Sequence, residues 1–279
     1  MHLKLATAFL MMLTAVCAAG AGSLPVPYQV DIPTANVTLH AQLFKPDGDG
    51  PFPTVIALHG CGGLTGHSEP VLPRYRDWAE QLLKNGRAVL LPDSYGSRGL
   101  GPQCRAAERK VRARRERVED IMAARQWLMQ QSWVARERIS LIGWAHGASA
   151  LLWAVRPQLS SRGTEPDFRS AVAFYPSCRR LRETAWSARV PTLILIGSAD
   201  DWTPASACQQ MVAGARGRSA RAEIVVYPGA YHEFDRANAP IRLRTGLVNT
   251  VDPSGRAHGG TNPAARSDAL KRVPQWLEK

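Results

Sequence analysis

The sequence lacks the features that would set a chain of 279 residues apart from ordinary globular proteins. It has no internal repeat and no long linker, which excludes a solenoid and a string of separate domains. Beyond the first twenty residues, no stretch reaches the roughly 18 apolar residues of a membrane-spanning helix. No Cys-x-x-Cys pair occurs and the scattered histidines have no ligand spacing, so we expect neither a metal nor another cofactor. With 45% hydrophobic and 21% charged residues, the chain is not disordered as a whole.

Lysine is scarce, since it supplies only six of the 35 positive residues, yet the formal net charge is +12. The charge is densest at 105–117, where seven arginines and lysines stand close together. Such a run could bind a polyanion or an anionic envelope surface. No aromatic residue is interleaved with it, and no nucleic-acid-binding motif is present. We therefore interpret it as a solvated helix face and expect no nucleic-acid partner, with binding of anionic polymers as a weaker alternative.

Acidic residues are absent from the first twenty positions, which contain a single lysine, Lys4. Residues 5–16 are almost entirely apolar, and small residues follow up to Ala21. This pattern is typical of a secretory signal peptide. We predict cleavage after Ala21, export to the periplasm or the medium, and a single mature domain over 22–279. A lipoprotein anchored at Cys17 is a weaker alternative.

Removal of that segment leaves four cysteines. In an oxidising compartment an even set most often forms disulfides, and four cysteines allow three pairings. Neighbourhood in the sequence favours Cys61–Cys104 and Cys178–Cys208.

Hydrophobic patterning predicts alternating strands and helices. Two alternating stretches, 28–32 and 37–45, predict an antiparallel opening pair. Six unbroken apolar runs then predict central parallel strands, because strands buried on both faces are apolar on both. These runs are 54–58, 88–91, 139–142, 171–175, 192–196 and 223–227. Helices are predicted at 70–85, 108–131, 145–158, 204–214 and 263–278, so the fold class is α/β, with a mostly parallel sheet and helices on both faces.

Glycine-rich and polar loops follow four of these strands, at the sheet edge where α/β proteins place their sites. GWAHG at 143–147 has the glycine spacing of a nucleophile elbow, whose central residue needs a strained positive φ. GSADDWTP at 197–204 brings an acid, and PGAYHEF at 228–234 brings a histidine. The order elbow, acid, histidine is that of α/β-hydrolase triads. HGCGG at 59–63 could turn its amides toward a developing oxyanion.

Six motifs in order make the chain resemble the secreted branch of the dienelactone-hydrolase-like family of α/β hydrolases. They are HGCGG, PDSYGSRG, GWAHG, AFYPSC, LIGSADDWTP and YPGAYHEFD, and the resemblance runs from about Tyr28 to the C terminus. It implies an α/β-hydrolase fold of about eight strands. It also implies hydrolysis of small esters or lactones through an elbow nucleophile.

The same resemblance assigns roles to residues. Asp200 would be the triad acid and His232 the general base. The backbone amides of Cys61 and His146 would form the oxyanion hole. For His59, Trp144 and Trp202, which are expected around the pocket, a structural role in the core is the competing interpretation. The residues expected around the pocket are His59, Asp93, Tyr95, Arg98, Trp144 and Trp202.

The chain departs from the family pattern at the centre of the elbow, where Ala145 replaces the family's cysteine or serine. An alanine cannot attack a carbonyl carbon, so the covalent mechanism cannot run in its usual form. Three explanations stay open: a natural pseudoenzyme that keeps the pocket for binding, a deliberate replacement of the nucleophile, and another attacking group, such as a water activated by His232. Ser94, Ser149 and Ser198 lie near the motifs, but each is better explained as a turn or packing residue.

The sequence therefore predicts a hydrolase of small esters or lactones that is impaired by Ala145. The alternative from another class is a non-catalytic protein that uses the retained pocket to bind a carboxylate or ester ligand. In both cases we expect a small-molecule ligand and a monomer.

Overall fold

Strands and helices alternate along the chain in the computed structural model, which describes residues 26–157 and 165–278. The predicted signal peptide lies outside the described residues. Strands β1 to β10 comprise Tyr28–Pro33, Thr38–Phe44, Phe52–Leu58, Ala88–Pro92, Val134–Trp144, Ala171–Phe174, Thr192–Gly197, Ala222–Tyr227, Arg242–Arg244 and Ala257–Gly259. Helices α1 to α6 comprise Pro73–Lys84, Glu116–Met129, His146–Ala154, Arg179–Arg182, Ala205–Gly214 and Pro263–Leu277, and a 3₁₀ turn covers Gly96–Arg98.

Eight strands form one sheet in the order β1-β2-β4-β3-β5-β6-β7-β8. The pairs β1–β2 and β2–β4 are antiparallel, and all the remaining pairs of this sheet are parallel. The predicted α/β class and mostly parallel sheet are confirmed. Because the carboxyl ends of the parallel strands meet at one edge, the loops after β3, β5, β7 and β8 come together there.

Right-handed crossovers decide which helices cover which face of the sheet. The chain moves one way along the sheet from β3 to β4 and the other way from β4 to β5 and β6. Helix α1 therefore lies on the face opposite to α2 and α3. The central strands β4, β6 and β7 are buried along their whole length, as their unbroken apolar sequences predict. None of the described helices is long and apolar enough to span a bilayer.

A two-stranded hairpin made by β9 and β10 was not predicted from the sequence. It stands apart from the main sheet, and its strands are only three residues long. Such short strands carry too little alternation to be recognised. An isolated parallel bridge between His232 and Gly259 joins the hairpin to the loop after β8.

The second helix begins later than the predicted 108–131, at Glu116. The Glu116 carboxylate accepts hydrogen bonds from the Arg112 backbone amide at 2.8 Å and from its guanidinium. Arg115 has a non-helical φ of −133°. The basic run is therefore mostly a series of turns, and the prediction of one continuous helix was wrong over its first two turns.

Both expected disulfides are present. The Cα atoms lie 4.9 Å apart in Cys61–Cys104 and 5.0 Å apart in Cys178–Cys208, within the usual range for a bridge. The second bridge is part of the main core. The first belongs to a small separate cluster with Trp202 and residues 247 and 257, and it lies beside the predicted site.

Candidate active site

Ala145 lies at a sharp turn between β5 and α3, in the backbone conformation of a nucleophile elbow. Its φ of 49° and ψ of −108° lie outside the regions that alanine ordinarily adopts. The turn requires its two glycines: a Cβ on Gly147 would lie 2.1 Å from the Leu58 carbonyl oxygen, and one on Gly143 would lie 2.7 Å from the Gly147 backbone. Strain of this kind, about 1–3 kcal/mol, is typical of functional sites. The strained elbow is retained although its side chain has no nucleophilic atom.

A buried aspartate–histidine pair lies beside the elbow. Nδ1 of His232, on the loop after β8, is 2.8 Å from Oδ2 of Asp200, on the loop after β7. The other carboxylate oxygen accepts the backbone amides of Trp202 at 3.0 Å and Thr203 at 2.8 Å. The Thr203 hydroxyl also contacts Oδ2, at 3.0 Å. Asp200 is thus fixed by its own loop.

The orientation of the His232 ring follows from this pair and from two aromatic neighbours. An ionised carboxylate only accepts hydrogen bonds, so Nδ1 carries the proton and Nε2 is left as the acceptor. The ring packs against Tyr175 and Trp202, whose centroids are 4.4 and 4.7 Å away. Within the described residues Nε2 has no hydrogen-bond partner, which is the state that a general base needs.

The loop after β3 is held by contacts to its backbone. Arg117 donates to the His59 carbonyl at 2.8 Å, and the Tyr75 hydroxyl accepts the Gly60 amide at 2.8 Å. The His59 ring contacts the Gly60 carbonyl at 2.8 Å, and the Cys61 carbonyl accepts the Gln103 amide. The loop is thus fixed residue by residue up to the Cys61 bridge.

The backbone amides of Cys61 and His146 have no acceptor in the described part of the chain. His146 is the first residue of α3, so its amide has no partner within the helix. Cys61 lines the same cavity as Ala145 and His232. These are the two amides that the family resemblance implies for an oxyanion hole, and that role remains a prediction.

A cavity of about 180 Å³ opens above Ala145 and His232. Trp202 forms part of its wall, as expected, and so do both cysteines of the first bridge. None of the residues that line this cavity bears an aliphatic hydroxyl or a free thiol. Its charged lining residues are Arg74, Glu233, Arg236 and Arg244.

These four charged residues were not predicted from the sequence. Glu233 contacts Arg74 at 2.6 Å, Arg236 at 3.1 Å and Arg244 at 2.5 Å. Burial alone would raise the pKa of Glu233, but the charges of Arg74 and Arg244 outweigh it and hold the pKa well below its usual range. Three guanidinium groups face one carboxylate, so the cavity wall has an excess of positive charge. Such a wall favours an anionic ligand.

A second group that the sequence did not indicate is a completely buried carboxylate, Asp235. Its Oδ2 accepts the indole N–H groups of Trp78 and Trp144, each at 2.8 Å, and its Oδ1 accepts the Tyr175 hydroxyl at 2.6 Å. Trp144 precedes Ala145, and Tyr175 packs on His232. Asp235 therefore ties the elbow to the ring of the base.

Several residues expected around the pocket do not line the cavity above Ala145. The Trp144 indole is turned into the core to reach Asp235, and the Arg98 guanidinium makes a two-pronged ion pair with Asp120. Asp93 caps the turn that follows β4 and lies in a separate surface cavity. The other two are buried: the ring nitrogen Nε2 of His59 accepts the Ser94 amide, and the Tyr95 hydroxyl contacts Nδ1 of His146 at 2.8 Å.

The serines considered as alternative nucleophiles have other contacts or lie away from the cavity. The Ser149 hydroxyl donates to the Ala145 carbonyl at 3.0 Å, and the Ser198 hydroxyl accepts the Gly229 amide at 2.9 Å. Ser94 is buried and does not line the cavity. Within the described residues, no group of three or more histidines, cysteines and acids could hold a metal ion.

The sequence profile of the dienelactone hydrolase family matches residues 39–279. A "Putative carboxymethylenebutenolidase" of Yersinia pestis is 25% identical over 228 residues, which are 76% of this chain and 80% of the relative. A "Probable 2-oxo-3-(5-oxofuran-2-ylidene)propanoate lactonase" of Bradyrhizobium is 23% identical over 240 residues, or 80% of this chain and 91% of the relative.

Among solved structures, the chain is similar to the crystal structure of a "Putative Dienelactone Hydrolase" from Klebsiella pneumoniae. The TM-score is 0.68 at 21% sequence identity, and the superposition covers 91% of this chain and 98% of the other. This likeness supports the fold.

Proposed function

Because the chain belongs to the dienelactone hydrolase family, we propose that it binds a small ester or lactone and hydrolyses it with a water molecule activated by His232. The observation that carries this proposal is the buried His232–Asp200 pair, held beside Ala145 at the floor of the cavity. A site that only binds has no need of a base oriented by a carboxylate. The expected acyl-enzyme route is closed at Ala145, but the base and the free amides do not depend on that side chain.

The proposed reaction starts from the position that a serine or cysteine side chain would fill. A water at that position gives a proton to Nε2 of His232 as its oxygen attacks the carbonyl carbon. The amides of Cys61 and His146 bind the oxyanion of the tetrahedral intermediate. When the intermediate collapses, His232 returns the proton to the leaving alcohol oxygen, which in a lactone is the ring oxygen. The products are a carboxylic acid, ionised at neutral pH, and an alcohol.

The charge of the cavity wall favours substrates that carry a carboxylate. The wall has three positive charges, on Arg74, Arg236 and Arg244, and only one negative charge, on Glu233. Carboxymethylenebutenolide, which appears in the names of several relatives, is a lactone that bears a carboxylate. A small anionic lactone or ester is therefore the proposed substrate class.

Turnover of p-nitrophenyl acetate by three forms of the full chain tests this proposal. The unaltered protein should hydrolyse the ester slowly but above the buffer rate, and His232→Ala should lose that activity. Ala145→Ser should restore the family's nucleophile, raise kcat by at least about 10³-fold and become labelled by a fluorophosphonate. Absence of labelling in a folded Ala145→Ser protein would show that the site is not assembled.

A non-catalytic binding protein is the second candidate, and Ala145 itself is the observation that favours it. In that case Ala145→Ser hydrolyses the ester, whereas the unaltered protein shows no rate above buffer that depends on His232. Ligands should then raise the melting temperature of the unaltered protein without being consumed.

Export is also part of the proposal. The two disulfides are consistent with an oxidising compartment, and the pattern of residues 1–21 is that of a signal peptide. The mass of the protein recovered from a periplasmic extract should correspond to a chain that begins at Gly22, with four cysteines unreactive until a reductant is added. A recovered chain that retains residues 1–21 would contradict export by this route.

A further inference from the structure

Arg117, in the first turn of α2, is a completely buried guanidinium below the loop after β3. Its Nη1 donates to the His59 carbonyl at 2.8 Å. The guanidinium carbon lies 5.6 Å from the centroid of the Tyr95 ring. The guanidinium thus lies behind residues 59–61. The last of these, Cys61, carries one of the two free amides.

The Arg117 charge has no counter-ion among residues 26–157 and 165–278. No carboxylate of these residues comes within ion-pair distance of it, and its Nε and Nη2 are buried without a hydrogen-bond partner. Arg87 is equally buried but pairs with Glu278, and Arg74 pairs with Glu233. An unpaired buried charge is costly, and proteins ordinarily compensate it.

The field of this charge reaches both sides of the free amides. Burial lowers the pKa of the His59 and His146 imidazoles well below the usual value, and the charge of Arg117 lowers both further. His146 carries one of the free amides, and His59 stands two residues before the other, on Cys61. The charge of Arg117 therefore acts on the residues that carry or flank these two amides.

We propose that Arg117 is the buried counter-charge of the oxyanion site, and that it makes this site select a small carboxylate, one oxygen of which is bound by the amides of Cys61 and His146. A carboxylate in this position supplies the anion that the guanidinium lacks in the rest of the fold. The Ala145 methyl favours the same occupant, because it has no lone pair to repel the second carboxylate oxygen. This inference rests on the oxyanion site of the proposed function and adds the class of group that it selects.

Binding of benzoate and of its neutral isostere benzamide to the full chain tests the proposal without any turnover. Titration calorimetry gives the two dissociation constants. In Arg117→Met, which keeps the length of the side chain but removes its charge, we expect benzoate binding to weaken at least tenfold and benzamide binding to change less than twofold. In Arg117→Lys, which keeps the charge, the ratio of the two constants should stay within about threefold of the unaltered protein.

Arg87→Met is the matched control, because it removes another fully buried arginine, one that pairs with Glu278. It should leave the benzoate-to-benzamide ratio unchanged. If benzoate and benzamide binding weaken equally in Arg117→Met, Arg117 only holds the loop. If the ratio of the two dissociation constants is unchanged, its charge does not act on the site. Either result overturns the proposal. If Arg117→Met does not fold, as judged by circular dichroism, the folded Arg117→Lys variant decides. A benzoate-to-benzamide ratio that differs by more than about threefold from that of the unaltered protein then overturns the proposal.

The outcome is independent of hydrolysis, since benzoate has no ester or amide bond to cleave and benzamide is an unactivated amide. A protein without esterase activity that nevertheless binds benzoate in an Arg117-dependent way would contradict only the catalytic proposal. If the protein is an active esterase but its benzoate-to-benzamide ratio does not depend on Arg117, only this inference is contradicted.

Discussion

Two adjacent aspartates each hold a histidine, and the two pairs have nearly the same geometry. Oδ2 of Asp200 lies 2.8 Å from Nδ1 of His232, and Oδ2 of Asp201 lies 2.7 Å from Nδ1 of His258. The side chains of the first pair are 0 and 2% exposed, whereas those of the second are 35 and 38% exposed. The oxygen–nitrogen distance alone therefore does not identify a catalytic pair. Burial and the remaining contacts of each carboxylate distinguish the two.

The two carboxylates differ in where their second oxygen is bonded. Oδ1 of Asp200 accepts amides of its own loop, so the acid is fixed before it meets the histidine. Oδ1 of Asp201 accepts the backbone amide of His258 itself, at 2.8 Å, so both of its oxygens hold the β9–β10 hairpin. The His258 ring packs on Tyr231 at a centroid distance of 5.0 Å. The first pair orients a base, and the second fastens the hairpin.

The largest expected difference between the pairs is in turnover by Ala145→Ser, where a nucleophile is present. Asp200→Asn in that background should lower kcat for p-nitrophenyl acetate by about 10⁴-fold, because an amide no longer fixes the imidazole tautomer. Asp201→Asn, the matched substitution one residue away, should lower kcat by less than about threefold. Similar losses in the two variants would show that the exposed pair also takes part in the reaction.

The residues of the first pair could be placed from the sequence because each belongs to a motif at the end of a predicted strand. Parallel strands bring their carboxyl ends together, so Ala145, Asp200 and His232 had to meet once the order of elements was known. The strands themselves were recognisable because they are buried on both faces. The start of α2 was not, because its position depends on Glu116 accepting the backbone amide of Arg112.

The cavity wall could not be predicted in the same way. Arg74 lies on α1 and Arg244 on the hairpin, and only the folded chain brings both to Glu233. Trp144 was expected to face the pocket, but its indole finds an acceptor in Asp235, far along the sequence. Contacts of this kind depend on the direction in which each side chain points in the folded chain. Hydrophobic periodicity does not predict that direction for loop residues.

The hairpin is also held by an ion pair that is less exposed than the Asp201–His258 pair. Glu233 contacts Arg244 of β9, and Arg74 helps to hold its pKa below that of the unfolded chain. Glu233→Gln should therefore lower the free energy of unfolding by about 3 kcal/mol at pH 7, because three arginines lose their carboxylate. Since the folded pKa is the lower one, this contribution is present above the unfolded pKa of about 4.3 and is lost as the pH falls toward the folded value.

Urea unfolding at pH 7 and at pH 3.5 measures this effect. The deficit of Glu233→Gln should be smaller at the lower pH. The matched control is Glu223→Gln, whose carboxylate is exposed on β8 beside Arg221 and should change stability by less than about 0.5 kcal/mol. A deficit for Glu233→Gln that does not change between the two pH values would mean that the residue acts through packing and not through its charge.

The smallest effect should come from the Asp201–His258 pair, which is the more exposed of the two aspartate–histidine pairs. His258→Ala removes the Nδ1 contact to Asp201 but leaves the backbone amide of residue 258 bonded to Oδ1, so global stability should fall by less than about 1 kcal/mol. The loss should be local: the 245–256 segment of the hairpin should be cut faster by a protease, because local opening there requires less free energy. Since the hairpin carries Arg244, KM for an anionic ester in the Ala145→Ser background should rise by about two- to threefold while kcat stays unchanged. A fall in kcat would instead give His258 a part in the chemistry and remove the distinction between the two pairs.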